Sequence, residues 1–207
     1  MSLLPTPAVD SALASGSKKK TLIIASSLKQ KVDDFAFETS DYEVTSIKVE
    51  VDELQTSDRL KLLNDKTDKI LAIIGPQKCP VVIEDTFSGF LDQNGQPTFY
   101  PDWDIKRFCQ VFKGLYAKIG ALNGYTNATY GCSAMLVEPN GTRHFFTAEC
   151  LCTLCETRPG PGSIDPQTIR HGQKKAFSEM SQKERSYFHV RPEIARDVYA
   201  RLKELGY

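Results

Sequence analysis

A short apolar run that ends in two acids constrains the fold of this chain more than any other feature. Residues 80–83 read Pro-Val-Val-Ile, and Glu84 and Asp85 follow directly. A short run of β-branched residues is typical of a buried strand. In an open α/β sheet, ligands bind beside the carboxyl ends of the strands. The pattern therefore predicts an α/β protein whose functional site includes this pair of carboxylates.

Apolar runs alternate with helical patterns along the chain, and their order predicts a mixed sheet. Strands are predicted over residues 21–25, 42–51, 70–74, 80–83, 128–137 and 144–152. Helices are predicted after Ser27, over about 54–69, over about 104–119 and from about Pro192 onward. Asn140 and Gly141 separate the last two strands, which is a strong hairpin signal. We therefore expect an α/β fold with a mixed, partly antiparallel central sheet flanked by helices.

The composition indicates one globular domain behind a short tail. Hydrophobic residues make up 41% and charged residues 25% of the 207 residues, which are ordinary values for a globular domain. Residues 1–17 mix Pro, Ser, Ala and Gly without a period, so we expect a flexible N-terminal tail. Residues 18–207 are then predicted to form a single domain. Within it, residues 156–176 are rich in Gly, Pro and basic side chains and are predicted to be a long functional loop.

The charge balance and the distribution of apolar residues exclude several function classes. Lys plus Arg and Asp plus Glu both number 26, and the resulting zero net charge argues against a nucleic-acid binder. No secretory or transmembrane stretch is visible in the sequence, so no membrane partner is expected. Six cysteines in such a chain favour a reducing compartment with free thiols, and the predicted location is the cytoplasm.

Three of the cysteines, Cys150, Cys152 and Cys155, form a cluster that leaves two interpretations open. Clustered thiolates are ligands of structural zinc sites. The first two share one face of a predicted strand, but the sequence has no second pair at ligand spacing. His144 and His171 are the nearby residues that could complete four ligands. Zinc binding is therefore one interpretation, and a thiol-rich strand without metal is the other.

Four short segments follow one another along the chain: V-I-E-D-T at residues 82–86, P-D-W-D-I-K-R-F at residues 101–108, Asp165-Pro166 and Glu179-Met180. Together they resemble motifs of the inosine triphosphate pyrophosphatase family, which hydrolyses non-standard purine nucleoside triphosphates to monophosphate and pyrophosphate. The first segment resembles the family's V-E-D-T step and the second its P-G-x-Y-x-x-x-F element, and the last two keep the spacing from its W-D-P to its E-M. The resemblance covers about Lys20 to Tyr207. It implies the family's fold, a metal-dependent hydrolase and a homodimer.

The resemblance implies an acidic metal site. Glu53 corresponds to the acid of the family's D-L-P-E segment, and Glu84 and Asp85 match its acidic step directly. These three carboxylates are predicted to be catalytic and to hold Mg²⁺, which prefers oxygen ligands and is often shared with substrate phosphates. Asp85 is the preferred residue to orient or deprotonate the attacking water.

The resemblance also implies which residues bind the nucleoside triphosphate. Ser27 and Lys29 lie where the family has its first loop, T-G-N-x-x-K, and Arg185 corresponds to the basic residue of its E-K-N segment. Lys29 and Arg185 are predicted to bind phosphate oxygens, the arginine bidentately. The family's closing S-H-R, which reads the purine base, is His189-Val190-Arg191 here. Base contacts are predicted for three residues, Asp165, His189 and Arg191.

The match to the family is uneven, and what is lost predicts a divergent member. Residues that handle charge are mostly kept, whereas the first loop and the base-reading motif are mostly replaced. We therefore expect hydrolysis of an inosine- or xanthosine-type triphosphate with altered base recognition. Three alternatives remain open. One is an attenuated or non-catalytic nucleotide-binding protein, and another is a structural module organised by the cysteine cluster. The third is the related septum-formation (Maf) type of enzyme, whose A-S loop resembles Ala25-Ser26-Ser27.

Overall fold

A computed structural model describes residues 19–54, 56–96, 115–162 and 164–207. The strands are β1 (Lys20–Ala25), β2 (Tyr42–Ile47), β3 (Val81–Leu91), β4 (Asn127–Val137), β5 (Arg143–Leu154) and β6 (Thr168–Arg170). The α-helices are α1 (Lys29–Phe37), α2 (Arg59–Ile74), α3 (Leu115–Leu122), α4 (Gln182–Phe188) and α5 (Val190–Glu204). Short 3₁₀ turns cover Asp165–Gln167 and Phe177–Glu179. The predicted tail and the segment 101–108 lie outside the described residues.

Within these ranges the strands form one mixed sheet in the order β2-β1-β3-β4-β5-β6. Strands β2, β1 and β3 are parallel, whereas β3, β4, β5 and β6 are antiparallel. The predicted hairpin joins β4 to β5, and Gly141 has a φ of +88°, a conformation that glycine adopts without strain. The prediction of a partly antiparallel sheet flanked by helices is confirmed.

The predicted strand over 70–74 is wrong, because these residues form the last turns of α2. The apolar run continues a helical stripe of buried residues that includes Leu62, Leu63 and Ile70. The side chain of Asp58 caps the start of the helix by accepting a hydrogen bond from the Lys61 amide. A five-residue apolar run fits a strand and a buried helix equally well by period alone, which explains the error.

Strand β3 extends past the two acids, so Glu84 and Asp85 lie inside the strand and not at its end. The strand is this long because β4 pairs with it along its whole length, from Val81 to Leu91. Its parallel partner β1 is much shorter, and their last pair is Ile24 with Val82. The two acids therefore follow the point where parallel pairing stops, which corresponds to the carboxyl edge of the β2-β1 half of the sheet.

Two apolar cores cover the two faces of the sheet. Even-numbered residues of β1, β3 and β4, such as Val82 and Tyr130, pack with α1 and α5. Odd-numbered residues, such as Ile83 and Met135, pack with α2. Burying one such large apolar side chain contributes about 1.5–3 kcal/mol, so both helical layers are firmly attached. None of the helices in the described ranges is both long and apolar enough to cross a lipid bilayer.

Candidate active site

Glu84 and Asp85 point to opposite faces of the sheet, because side chains alternate along a strand. The Glu84 carboxylate contacts Arg191 and Lys31 on the face covered by α1 and α5, with Arg191 Nε 3.1 Å from its Oε1. Asp85 faces α2, where its Oδ1 lies 3.5 Å from Lys66 Nζ. The two acids, which are adjacent in sequence, therefore belong to two different polar clusters.

On the α2 face, Lys66 brings Glu53 and Asp85 together. Its Nζ lies 2.6 Å from Glu53 Oε1, 3.1 Å from the Glu84 carbonyl oxygen and 3.5 Å from Asp85 Oδ1. Lys31, from the other face, reaches the same carbonyl at 3.5 Å. In a longer β1, a backbone N–H would pair with this carbonyl oxygen. Because β1 ends at Ala25, the two lysine side chains donate to it instead. One cation thus holds two of the three predicted catalytic acids beside each other.

On the opposite face, Asp34 forms a buried ionic cluster with Arg185 and Arg191. Arg185 donates from Nε and Nη2 to the two Asp34 oxygens at 2.9 and 2.8 Å. Arg191 Nη1 lies 2.7 Å from Asp34 Oδ2, and Arg191 Nη2 lies 2.9 Å from Thr86 Oγ1. Arg185 comes from α4 and Arg191 from α5, so one carboxylate on α1 orients arginines from two helices.

Asp165, His189 and Tyr130 extend this cluster toward solvent. The Tyr130 hydroxyl donates to Asp165 Oδ1 at 2.6 Å and lies 3.2 Å from His189 Nε2. His189 Nδ1 accepts the backbone N–H of Arg191 at 3.1 Å and so caps α5. Because Nδ1 accepts, the proton of the neutral imidazole is on Nε2. The side chain of Asp165 is 14% exposed, whereas that of His189 is completely buried. Asp165 is therefore the member of this group that a ligand can reach.

Ion pairing outweighs burial in setting the charge of these acids. Burial raises the pKa of Glu84, but Arg191 and Lys31 outweigh this effect and hold the pKa well below its usual value. Burial also raises the pKa values of Asp34 and Asp165, but a hydrogen bond from Arg185 to Asp34, one from His189 to Asp165 and the charges of the two arginines outweigh it, so both pKa values are lowered. Burial lowers the pKa of His189, so this imidazole is neutral at pH 7. The three carboxylates of this face are thus balanced by three cations, which are Lys31, Arg185 and Arg191.

Ser27 and Lys29, both predicted to bind substrate, lie on the surface. Ser27 Oγ donates to Glu50 Oε1 at 3.2 Å. The Lys29 side chain is 86% exposed and pairs with Asp33 at 2.6 Å. Arg185, predicted to bind phosphate, is buried and also donates to the Phe177 carbonyl oxygen at 3.0 Å. The structure therefore brings Asp165, Arg185, His189 and Arg191 together with Glu84, but leaves Ser27 and Lys29 outside this group.

Three charged residues of the site were missed by the sequence analysis, namely Lys31, Asp34 and Lys66. Each lies on the buried side of its helix and is at most 9% exposed. The sequence contains a signal for them, because each lies at helical spacing from the apolar residues on the buried side of its helix. Lys66 lies one turn from both Leu62 and Ile70, where an ordinary amphipathic helix places a hydrophobic residue. A cation at such a position indicates a buried partner.

Neither the acids nor the cysteines of the described ranges form a ready-made metal cage. No group of three or more His, Cys, Asp or Glu side chains in this part of the chain is arranged to hold a metal ion. The Sγ atoms of Cys150 and Cys152 lie 3.8 Å apart, and Cys155 Sγ faces the Pro166 carbonyl oxygen. These thiols are free. The arrangement therefore favours the unligated strand over the zinc site.

Comparison with known proteins relates this architecture to one family. The sequence profile of the Ham1 family matches residues 12–198. No curated protein sequence is significantly similar to the chain. Among solved structures, the Ham1 protein of Staphylococcus aureus superposes with a TM-score of 0.60 at 16% identity, covering 91% of this chain and 100% of its own. A HAM1 protein from Coxiella burnetii gives 0.61 at 16% identity, covering 89% and 99%.

A third solved structure carries a described activity. The nucleoside-triphosphatase / dITP/XTP pyrophosphatase of Mycobacterium abscessus ATCC 19977 / DSM 44196 superposes with a TM-score of 0.56 at 15% identity. The alignment covers 88% of this chain and 98% of that protein. At this identity the three likenesses describe the fold.

Proposed function

Because the chain belongs to the Ham1 family, we propose that it hydrolyses an inosine- or xanthosine-type nucleoside triphosphate to the monophosphate and pyrophosphate. The observation that carries the proposal is the Glu53–Lys66–Asp85 group on one face of β3. It joins two carboxylates and a cation beside the edge where parallel pairing ends. The activity of the Mycobacterium abscessus relative, a dITP/XTP pyrophosphatase, supports this substrate class.

The donor set around Lys66 Nζ fits a divalent cation. Oxygens of Glu53, Glu84 and Asp85, two from carboxylates and one from a carbonyl, already surround a positive charge at this point. Magnesium is usually held by one or two carboxylates together with substrate phosphates. We therefore propose that Glu53 and Asp85 would hold Mg²⁺, with Lys66 moving toward the phosphates. The Glu84 side chain, on the opposite face, does not fit this role.

The chain's own residues supply positioning and proton transfer. Hydrolysis adds water to the α-phosphorus and breaks its bond to the oxygen that bridges to the β-phosphate, so pyrophosphate leaves. We propose that Asp85 orients this water and accepts its proton. Lys66 and Lys31 would donate to phosphate oxygens, since both already donate to the Glu84 carbonyl between them. Bound magnesium would neutralise the charge that develops on the leaving pyrophosphate.

The base would lie on the other side of β3, beside Asp165. Asp165 is the most accessible carboxylate of that cluster, and it accepts hydrogen bonds from Tyr130 and Arg185. A carboxylate is a suitable acceptor for N–H groups of a purine. His189 and Arg191 are buried behind it, so in this proposal they orient Asp165 and Glu84 and act on base preference indirectly. Altered base recognition follows from this change of roles.

Two further features belong to the proposal. The resemblance to the family supports a homodimer. The free thiols of Cys79, Cys132, Cys150, Cys152 and Cys155 favour a reducing compartment, and we propose the cytoplasm.

Pyrophosphate release from a panel of nucleoside triphosphates with Mg²⁺ tests the proposed function. The panel includes the inosine, xanthosine, deoxyinosine and four standard triphosphates. We expect release from at least one deaminated purine and loss of at least about 100-fold in the Asp85→Asn variant. Asp52→Asn, an exposed acid of the same region, is the matched control. Binding of every nucleotide without release would instead favour the non-catalytic alternative, and unchanged turnover in Asp85→Asn would refute the assignment of Asp85.

A further inference from the structure

Arg59 and Phe87 form a stacked pair next to the Asp85 cluster. The Arg59 guanidinium carbon lies 4.2 Å from the centroid of the Phe87 ring, a cation–π contact. Phe87 lies two residues after Asp85 on β3, so its side chain points to the same face of the sheet. Arg59 begins α2 and lies two helical turns before Lys66, so both cations are on the side of α2 that faces β3.

The Phe87 ring also lies against Gly131. Gly131 is the cross-strand partner of Phe87 on β4. A Cβ atom placed on Gly131 would come within 2.1 Å of the ring, so a larger residue here cannot coexist with the present ring position. The ring therefore contacts both the backbone of β4 and the guanidinium of Arg59, and these two contacts support the position of the charge.

A stacked guanidinium is well suited to bind phosphate. Stacking uses the face of the group, and its N–H donors lie in the plane, from which they meet phosphate oxygens bidentately. Lys66 is already paired with Glu53 and Asp85. In the proposed function Mg²⁺, Lys66 and Lys31 act on the phosphates next to Asp85, so the phosphates farther along the substrate require additional positive charge. Arg59 lies on the same face, beyond Asp85 in the strand direction, where it can supply this charge.

We propose that Arg59, positioned by Phe87 and Gly131, binds the terminal phosphates of the substrate. This inference rests on the proposed function and extends it, because it assigns the polyphosphate end to the Arg59 side of Asp85. It also gives a reason for an aromatic residue and a facing glycine at positions 87 and 131.

Steady-state kinetics of Arg59→Gln with the best nucleotide test the proposal, with Lys61→Gln as the matched control. Lys61 is an exposed cation two residues further along the same helix. We expect the KM of Arg59→Gln to rise about tenfold or more, as for loss of a charge-assisted hydrogen bond, while kcat changes less than about threefold. Arg59→Lys should recover part of the affinity, because it keeps the charge but not the planar donors. Equal KM values for Arg59→Gln and Lys61→Gln would overturn the proposal.

Two variants test the stack itself. Phe87→Leu leaves the charge of Arg59 but removes its aromatic support, and we expect KM to rise about threefold. Gly131→Ala should give a similar rise by displacing the ring. Wild-type KM in Phe87→Leu would show that the stack has no positioning role.

Calorimetric binding of inorganic tripolyphosphate with Mg²⁺ separates this inference from the proposed function. Wild-type protein should bind tripolyphosphate at least about tenfold more tightly than Arg59→Gln, whether or not a nucleotide is turned over. Absence of hydrolysis together with this difference would refute the proposed function alone. Equal tripolyphosphate affinity in the two proteins, or none in either, would overturn the role of Arg59.

Discussion

Asp34 and Arg191 lie 157 residues apart in sequence, yet Oδ2 of the first is 2.7 Å from Nη1 of the second. Neither side chain is more than 5% exposed. Burying two charges is costly, and their attraction compensates only when hydrogen bonds satisfy both groups. Here Arg185, Gln182 and Gln30 supply further side-chain donors to Asp34. The pair thus ties the first helix to the last one, and breaking it leaves buried charges without compensation.

We predict that Asp34→Asn lowers the free energy of unfolding by about 3–5 kcal/mol, because Arg185 and Arg191 would lose their shared counter-charge. Urea denaturation followed by circular dichroism measures the change. Asp33→Asn is the matched control, since among the described residues the Asp33 side chain pairs with the exposed Lys29. That variant should change stability by less than about 1 kcal/mol. A similar small change in Asp34→Asn would show that the buried cluster is not structural.

We predict that stability falls as the pH drops from 7 to 5, because of His189. Burial lowers the pKa of His189 in the folded protein. Asp165 raises this pKa, and Arg185 and Arg191 lower it further. The unfolded chain therefore binds a proton near pH 6.5 that the folded chain does not, and this favours unfolding below that pH. One such group contributes at most about 1.4 kcal/mol per pH unit. His189→Asn keeps an N-cap acceptor and removes the titration, so its unfolding free energy should have a flatter pH profile.

A second loss of stability is expected at lower pH. The folded pKa values of Asp34, Glu84 and Asp165 are lowered, so the stability that they contribute is present above the unfolded pKa of about 4. It is lost as the pH falls from there toward the folded values. Thermal unfolding at pH 5, 4 and 3 measures it. Stability that stayed constant below pH 4 would contradict the ionised state of these acids.

We predict that Lys31→Gln and Lys29→Gln have very different effects on catalysis. Lys31 is buried against Glu84, whereas Lys29 is exposed and pairs only with Asp33 among the described contacts. Removing Lys31 should reduce kcat/KM by about 100-fold, because a buried cation near the phosphates would be lost. Lys29→Gln should remain within about twofold of the wild type. Impaired catalysis in Lys29→Gln would instead show that Lys29, which corresponds to the lysine of the family's T-G-N-x-x-K loop, is the residue that binds phosphate.

We predict that Lys66→Met abolishes most turnover, whereas Lys69→Gln does not. Lys66 holds Glu53 and Asp85, and its removal leaves two neighbouring carboxylates without the cation between them. Lys69, one turn later, pairs with Asp65 on the surface. Pyrophosphate release at saturating nucleotide should fall about 100-fold or more in the first variant. Comparable rates in both variants would remove Lys66 from the site.

Much of the fold followed from the sequence because hydrophobic period and turn residues are local signals. The Asn140-Gly141 hairpin, the flanking strands and the last helix were predicted in this way, and the family resemblance is confirmed by the Ham1 match. The helical conformation of residues 70–74 was not predicted, because their apolar pattern fits both a strand and a buried helix. Only the packing of α2 on Ile83 and Met135 decides between them.

The structure brings together part of the predicted set of site residues, and their roles stay predictions. Asp165, Arg185, His189 and Arg191 are brought together with Glu84, and Glu53 lies near Asp85. The pairing of Asp34 with two distant arginines could not be read from the sequence, since it depends on how α1 docks against α4 and α5. The separation of Glu84 from Asp85 follows from strand alternation, which is predictable once β3 is known to continue past both residues.

The placement of Glu84 and Asp85 has a consequence for how such a protein changes over generations. Under the proposed function, substitutions among the residues around Arg191 and Asp165 would modify which nucleobase is accepted, while Glu53 and Asp85, on the opposite face of β3, are left untouched. A lineage with this strand would therefore acquire new substrates without rebuilding its chemistry.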